Sequence, residues 1–192
     1  MTEEVIRSLP EIFRKYTCTL KKSSLDETNK EYMCESKIKV VNFDKIPNEY
    51  ACGKGWSGVP SSNDALYVSV QGKWYFIEFK NGEIKKEQVY RKLYDSLFML
   101  IEWGIIPNLN FVRENIYYIL VYNSKKHYKI PDSSGRDENY SYFLGLAGQE
   151  ERLFGIEKFE KYLFNETHTY TKSLFEKKFI FPMEKEEGIT AV

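Results

Sequence analysis

Two acidic residues and a lysine lie at the ends of two strands predicted between residues 64 and 80. The segments DALYVSV and WYFIEFK are apolar, β-branched and aromatic, and the QGK between them is a turn signal, so the stretch predicts a β-hairpin. Because side chains alternate across a strand, Glu78 and Lys80 share a face, and Asp64 begins the neighbouring strand. The hairpin is expected to bring all three together at one solvent-open rim of a sheet. Two carboxylates and a lysine there can hold a hard cation and polarise a phosphate.

The chain places this hairpin within an alternation of helices and strands. Apolar periodicity predicts an early-interrupted helix over residues 2–16, a strand over 37–43 and a helix over 85–103. The buried stripe of the last helix is expected to contain Val89, Leu93, Leu97, Phe98, Leu100 and Ile101. Residues 115–122, NIYYILVY, form the next buried strand, and the connection is long enough for a right-handed crossover to a parallel strand.

Turn-forming and polar residues fill most of the remaining chain. Residues 44–63 carry three Gly and two Pro and predict a long loop, and residues 124–142 predict a polar loop or insertion. A short helix is expected after Ser24, and an amphipathic helix over 148–164. Residues 167–183 are expected to hold a last helix or strand. The sequence therefore predicts one α/β domain, residues 1–192, with a mixed sheet flanked by helices.

The hairpin and its surroundings resemble the PD-(D/E)XK nuclease superfamily, the restriction-endonuclease-like proteins. The matching pattern is Pro60-Ser61-Ser62-Asn63-Asp64, thirteen residues, then Glu78-Phe79-Lys80 and a helix. Pro60 departs from the family motif, because it lies four residues before Asp64 rather than next to it. The resemblance covers residues 36–123. It implies an α-β-β-β-α-β core with a mixed central sheet, to which this chain would add a helical C-terminal extension.

The resemblance implies a metal-dependent phosphodiesterase, an endonuclease-like hydrolase acting on nucleic acid. Asp64 and Glu78 would bind Mg²⁺ or Mn²⁺, with the Phe79 carbonyl as a further ligand, and Lys80 would orient or activate the attacking water. Other acid-x-lysine triplets occur, such as Glu83-Ile84-Lys85. Only the triplet at Glu78 ends a hydrophobic strand that follows another strand beginning with Asp.

Several other polar residues leave alternatives open. An additional acid could complete the metal shell, and the sequence does not rank the three choices, Glu11, Glu31 and Glu35. Gln88 is interpreted as a surface residue, because Tyr90 and Tyr94 do not match the spacing of the exonuclease-like branch. His127 and His168 are interpreted as solvated histidines. The lysines Lys125, Lys126 and Lys129 could contact phosphate but are more typical of a solvated face.

Composition narrows the class of protein. The formal net charge is zero, which argues against a strongly basic nucleic-acid sheath but leaves room for a local basic patch. Cys18, Cys34 and Cys52 form no CxxC pair and are expected to be free thiols in a reducing cytoplasm. No apolar run is long enough to span a membrane. The GxxxxGK[ST], GxGxxG and GxSxG motifs do not occur.

A second hypothesis comes from another class of function. Neutral charge and fifteen tyrosines suit a protein partner at least as well as a nucleic-acid duplex. The chain would then be an inactive nuclease-fold binding module in a toxin, immunity or phage-defence system.

Overall fold

The structure, a computed structural model, describes residues 1–127 and 148–189. The strands are β1 (Thr17–Thr19), β2 (Leu25–Asp26), β3 (Glu31–Tyr32), β4 (Lys39–Asn42), β5 (Ala65–Val68), β6 (Trp74–Lys80), β7 (Ile116–Tyr122) and β8 (Glu166–Thr171). Six of them form one mixed sheet in the order β1-β4-β5-β6-β7-β8, and β2 and β3 form a separate hairpin. The first four strands of the sheet pair antiparallel, and β6, β7 and β8 pair parallel.

Helices connect these strands and cover the sheet. They are α1 (Glu3–Ser8), α2 (Glu11–Lys15), α3 (Leu20–Ser23), α4 (Ile46–Lys54), α5 (Lys86–Glu102), α6 (Leu109–Asn115) and α7 (Ser124–His127). Two short 3-10 helices lie at Phe43–Lys45 and Ile156–Phe159. A C-terminal helical segment consists of Lys172–Phe175, a π-helical turn at Glu176–Ile180, and Phe181–Glu186. The chain is thus a mixed α/β protein with a six-stranded mixed sheet, helices and a C-terminal helix.

The predicted hairpin forms the centre of the sheet. In β5 and β6, Ala65 pairs with Ile77 and Val68 with Trp74, and the turn between the strands has Gly72 at φ 78°. Glycine suits this turn because it adopts a positive φ without a steric penalty. The apolar character of β6 follows from its central place, since both of its faces are covered.

Helices pack on both faces of the sheet. On one face, α5 buries Val89, Leu93 and Leu100. On the other, the ring of Phe79 in β6 lies 5.8 Å from the ring of Phe175 in the C-terminal helical segment. The crossover through α5 makes β6 and β7 parallel, as the sequence predicts.

Three predicted elements differ from the structure. Residues 44–63, which were expected to form a loop, contain α4. Ile46, Tyr50 and Ala51 of this helix are buried, and the burial of these apolar side chains outweighs the turn-forming composition. The helix expected after Ser24 is wrong, because α3 ends at Ser23 and the hairpin β2–β3 follows.

The helix predicted over 148–164 is also wrong. Its apolar residues Ile156 and Phe159 are buried, but they belong to a 3-10 helix and not to an α-helix. Phe154 and Gly155 both have positive φ, which interrupts an α-helix. The predicted loop over 124–142 lies mostly outside the described residues; its first part is α7. Phe98 does not join the buried stripe of α5, because 62% of its surface is exposed. In the described part of the chain, no helix has the length and apolar character needed to cross a membrane.

Candidate functional site

The antiparallel register of β5 and β6 brings two acids together. Because Ala65 pairs with Ile77, Asp64 falls beside Glu78, and both side chains point to the α5 face of the sheet. Lys80 lies two residues further along β6, on the same face. The structure therefore brings Asp64, Glu78 and Lys80 to one rim, as expected from the sequence.

Two contacts fix the carboxylate of Asp64. The backbone N–H of Phe79 donates a hydrogen bond of 2.6 Å to Oδ2, and Lys92 Nζ donates one of 2.9 Å to Oδ1. The carbonyl of Asp64 also accepts a hydrogen bond from the N–H of Phe43, at 3.0 Å. Asp64 is thus held at the junction of β4, β5 and β6.

Glu78 lies between two lysines. Lys80 Nζ and Lys92 Nζ each lie 2.8 Å from its Oε1, and Lys92 also donates a 3.1 Å hydrogen bond to Oε2. Glu78 is completely buried, although its neighbour Lys80 retains 18% side-chain exposure. The rim is therefore less open than the sequence predicts, because the two lysine chains cover the glutamate.

Burial and charge act in opposite directions on the ionisation of this cluster. Burial, reinforced by the charge of Asp64, raises the pKa of Glu78 from 4.5 to about 7, and Lys92 and Lys80 partly offset this rise. Burial alone would lower the pKa of Lys92. The charges of Glu78 and Asp64 outweigh it and raise that pKa well above its usual value. Lys92 therefore stays charged at neutral pH.

Lys92 is a site residue that lies outside the buried stripe predicted for α5 and that the sequence analysis did not identify. It follows Val89 by three residues and precedes the buried Leu93, so it lies at the margin of the packed stripe. A long side chain at that margin reaches the strand ends beneath the helix. A lysine in the first turns of the helix that follows the predicted site strand was the feature of the sequence that could have identified Lys92.

A third acid also lies at the rim. Asp44 is in the 3-10 helix that directly follows β4, and its Oδ1 accepts a 3.2 Å hydrogen bond from Ser62 Oγ. Burial, followed by the charge of Asp64, raises the pKa of Asp44 from 3.8 to about 6. In the sequence, Asp44 could have been recognised as an acid that closely follows a buried strand. It was missed because the residues from 44 onward were predicted to form a long loop.

The loop before Asp64 is anchored on α5. The N–H of Ser61 donates a 2.9 Å hydrogen bond to Asp95 Oδ2, and the N–H of Asn63 donates a 3.0 Å bond to Ser96 Oγ. These bonds satisfy backbone donors that would otherwise be buried without a partner. The segment that carries the family-like pattern is thus held against the same helix that supplies Lys92.

A cavity of about 300 Å³ opens beside these residues. Its lining includes Asp44, Asp64 and Lys80, together with Ser24, which precedes β2, and Asp26 in β2. The strand β2 therefore lines the cavity beside the rim. A cavity of this size is at the lower end of the range for ligand sites.

The other acids proposed from sequence lie away from Asp64 and Glu78. Glu11 is exposed on α2, and Glu35 pairs with Lys21 at 2.6 Å with 70% of its side chain exposed. Glu31 contacts Lys126 and Lys172 instead. Asp44, which was not among these three, is the acid that lies close enough to Asp64 for their charges to interact.

The remaining polar candidates have ordinary surroundings. Gln88 is exposed, in agreement with its interpretation as a surface residue. His168 is not simply solvated: it is partly buried, its Nδ1 lies 3.0 Å from Glu150 Oε2, and its ring stacks on Tyr170. Lys125 and Lys126 are exposed in α7. The side chain of His127 and all of Lys129 lie outside the described residues.

The residues present fit a hard cation through oxygen atoms only. Over residues 1–127 and 148–189 there is no group of three or more His, Cys, Asp or Glu side chains arranged to hold a metal. Glu78 Oε1 is buried without a well-aligned hydrogen bond, but the ammonium groups of Lys80 and Lys92 both lie 2.8 Å from it, so a metal ion bound there would have to displace at least one of them. Mg²⁺ is commonly held by one or two carboxylates, with water and substrate phosphate completing its shell. Asp64 and Glu78 supply that number.

Comparison with known protein families, with characterised proteins and with solved structures finds no match to this chain.

Proposed function

We propose that this protein is a metal-dependent phosphodiesterase of the restriction-endonuclease-like type that acts on nucleic acid. The observation that carries the proposal is the convergence of Asp64, Glu78 and Lys80 at one rim, beside a cavity. The element order through β4, the β5–β6 hairpin, α5 and β7 agrees with the α-β-β-β-α-β core that the resemblance implies. The mixed sheet with helices on both faces is compatible with that core.

In this proposal, Asp64 and Glu78 hold the metal ion, and the carbonyl of Phe79 is a further ligand. A bound Mg²⁺ or Mn²⁺ would supply Lewis-acid stabilisation of charge on the scissile phosphate. The N–H of Phe79 keeps one oxygen of Asp64 in place, so the other oxygen faces the cluster. Asp44 adds negative charge next to Asp64 and strengthens the preference of the rim for a cation.

Lys80 orients the attacking water and offsets the charge that develops on the phosphate. Its ammonium lies 2.8 Å from Glu78 and lines the cavity, so it can contact both a ligand of the metal and a substrate. Preorganised positive groups of this kind act most strongly where water is excluded. Lys92, behind the carboxylates, keeps their charge balanced.

The test is cleavage of labelled DNA and RNA, single- and double-stranded, with Mg²⁺ or Mn²⁺. Lys80→Ala should lose at least about 100-fold in rate, the lower range for a residue that assists proton transfer. Lys73→Ala is the matched control, because it removes the same charge from the opposite end of the hairpin, and it should retain activity. Thermal melting of both variants checks that they fold. A wild-type protein that cuts none of these substrates contradicts the proposal.

One observation favours a second function, that of a binding module without catalysis. Lys92 already lies between the two carboxylates, and Glu78 is completely buried, so the cluster is balanced without a metal. The protein would then act through a protein partner. Pull-down from the native host should recover a stoichiometric partner, and titration with Mn²⁺ should show no binding that depends on Asp64. Metal binding that Asp64→Asn abolishes would count against this second function.

A further inference from the structure

The side chain of Glu31 joins the ends of three parallel strands. Its Oε1 lies 2.7 Å from Lys172 Nζ, and its Oε2 lies 2.9 Å from Lys126 Nζ and 3.0 Å from Asn81 Nδ2. Asn81 directly follows β6, Lys126 lies in α7 just after β7, and Lys172 directly follows β8. One carboxylate thus receives donors from the carboxyl ends of all three strands.

These donors have the character of an anion-binding site. Two ammonium groups and an amide converge on one acceptor group, and charge-assisted hydrogen bonds of this kind are the strong ones. The bonds from Lys172, then Lys126 and Asn81, lower the pKa of Glu31 from 4.5 to about 2. The lysines retain 30% and 40% side-chain exposure, so an anion from solution can reach them.

Glu31 is carried by an element with few attachments of its own. Strands β2 and β3 have two residues each, and an isolated two-stranded hairpin is at best marginally stable. The residues between them, 27–30, are exposed. Outside Glu31, polar contacts to the sheet edge come from Asn81 to Asp26 at 2.8 Å and from Lys172 to the carbonyl of Tyr32 at 3.3 Å.

The anion site and the candidate catalytic rim share one edge of the sheet. Asn81 is the residue after Lys80, and both line the cavity beside Asp64. A phosphodiester shares one negative charge between two oxygens, as a carboxylate does. A nucleic-acid strand lying along this edge presents such groups repeatedly, so a phosphate next to the one at Lys80 would meet these donors.

We propose that Asn81, Lys126 and Lys172 form a binding site for a phosphate of a nucleic-acid strand, and that Glu31 occupies this site in the free protein. The identity of the ligand rests on the proposed function. Binding of the strand displaces the carboxylate of Glu31 from these three donors.

The experiment compares Glu31→Gln with Glu35→Gln in binding labelled DNA and RNA oligonucleotides, measured by fluorescence anisotropy in EDTA. Both variants remove one negative charge from the same segment, but Glu35 pairs with Lys21 away from the strand ends. Glu31→Gln should bind several-fold more tightly than wild type. The slope of log K against log salt concentration should also steepen by about 1, the effect of one added phosphate contact. Glu35→Gln should show only the smaller effect of net charge.

A second pair of variants tests the donors. Lys126→Ala should remove the gain in the Glu31→Gln background, whereas Lys125→Ala, a change at the neighbouring exposed lysine, should leave most of it. If Glu31→Gln does not fold, the same two alanine variants in the wild-type background carry the test, and Lys126→Ala should bind more weakly. Equal binding by the Glu31 and Glu35 variants, or by the two lysine variants, would overturn the phosphate site.

The outcome is separable from that of the proposed function, because binding in EDTA requires no cleavage. A protein that binds through Lys126 and Lys172 but cuts nothing keeps this site and refutes the phosphodiesterase. A protein that cuts, while Glu31→Gln binds no better than Glu35→Gln, keeps the phosphodiesterase and refutes this site. A chain that neither binds nor cuts refutes both.

Discussion

At the scale of single residues, Lys92 supplies the positive charge between Asp64 and Glu78 that a divalent cation would otherwise supply. It lies within 2.9 Å of oxygens of both Asp64 and Glu78. Two neighbouring carboxylates repel each other, and without a cation this repulsion acts in a poorly hydrated environment. A metal ion at this rim would compete with the lysine for the same oxygens, so removing the lysine should reveal how well those oxygens bind a metal.

Lys92→Ala should destabilise the metal-free protein by about 3 kcal/mol, because it removes the ammonium group shared by Asp64 and Glu78 and leaves Glu78 with Lys80 alone. Millimolar Mg²⁺ or Mn²⁺ should restore part of this loss, since a ligand that binds only the folded state stabilises it. The measurement is urea unfolding with EDTA or with metal. Lys86→Ala, at an exposed position of the same helix, is the control and should change little. If metal stabilises neither the Lys92 variant nor wild type, the carboxylates are not a metal site.

The protonation of Glu78 predicts how stability depends on pH. Its pKa is raised from 4.5 to about 7 in the folded protein, so folding favours the protonated form. The corresponding stability is fully present below about pH 4.5 and is lost as the pH rises through about 7. Asp44, raised from 3.8 to about 6, acts in the same direction.

Glu78→Gln should therefore flatten the fall in unfolding free energy between about pH 4.5 and 7.5 in EDTA, because glutamine does not titrate. The exposed Glu83→Gln provides the control and should follow wild type. Parallel curves for wild type and Glu78→Gln would show that Glu78 keeps an ordinary pKa.

The sequence predicted those site residues that lie within one local element. Asp64, Glu78 and Lys80 belong to a single hairpin, and the two-residue period of a strand is enough to place them together. Asp44 and Lys92 come from a different strand end and from the helix above. Their approach depends on how β4 and α5 pack on the hairpin, which no local pattern specifies.

At the scale of elements, α5 connects the core to the site. One side of this helix is buried in the core, and its margin supplies Lys92 together with the partners of the loop before Asp64. Leu93→Ala should destabilise the protein by about 3 kcal/mol, since Leu93 is completely buried and truncation leaves a cavity. Phe98→Ala removes a larger ring from the same helix, but from an exposed position, and should cost far less. Urea unfolding gives both values, and similar losses would mean that the buried face of α5 is misassigned.

Element prediction succeeded where one periodicity runs without interruption. The helix α5 and the strands β6 and β7 have such runs and were found close to their observed bounds. Residues 148–164 also have helical spacing, but their buried apolar residues lie in turns and not in an α-helix. In α4, Gly53 and Pro47 suggested a loop, although Pro47 lies in the first turn, where proline is tolerated. Tertiary packing decided both cases against the local signal.

At the scale of the whole molecule, a zero net charge does not prevent a strongly charged edge. Lys80, Lys126 and Lys172 lie at or just after the carboxyl ends of β6, β7 and β8, and Lys92 reaches this edge from α5; each contacts at least one of Asp64, Glu78 and Glu31. These acids therefore offset most of the charge of the lysines in the free protein. Its affinity for an anionic ligand depends on which acids can be displaced or can bind a cation.

The described residues form one core that joins N-terminal and C-terminal elements. Trp74 at the start of β6 has ring contacts with Phe13 of α2, at 6.3 Å, and Phe111 of α6, at 6.0 Å. At the other end of β6, Phe79 contacts Phe175 of the C-terminal helical segment at 5.8 Å. The strand β6 thus carries packing from both ends of the chain, and a core of this kind should unfold as one unit.

Phe175→Ala tests this coupling. The change should cost about 3 to 5 kcal/mol, because the ring is completely buried between Phe79 and Phe179. If the core is one unit, tryptophan fluorescence, to which Trp56, Trp74 and Trp103 all contribute, shifts to lower urea together with far-UV circular dichroism, and the two transitions stay coincident. Tyr162→Ala is the control, since that ring is mostly exposed. A circular-dichroism transition that precedes the fluorescence change would show that the C-terminal segment unfolds on its own, and the rim at Asp64 would then not depend on it.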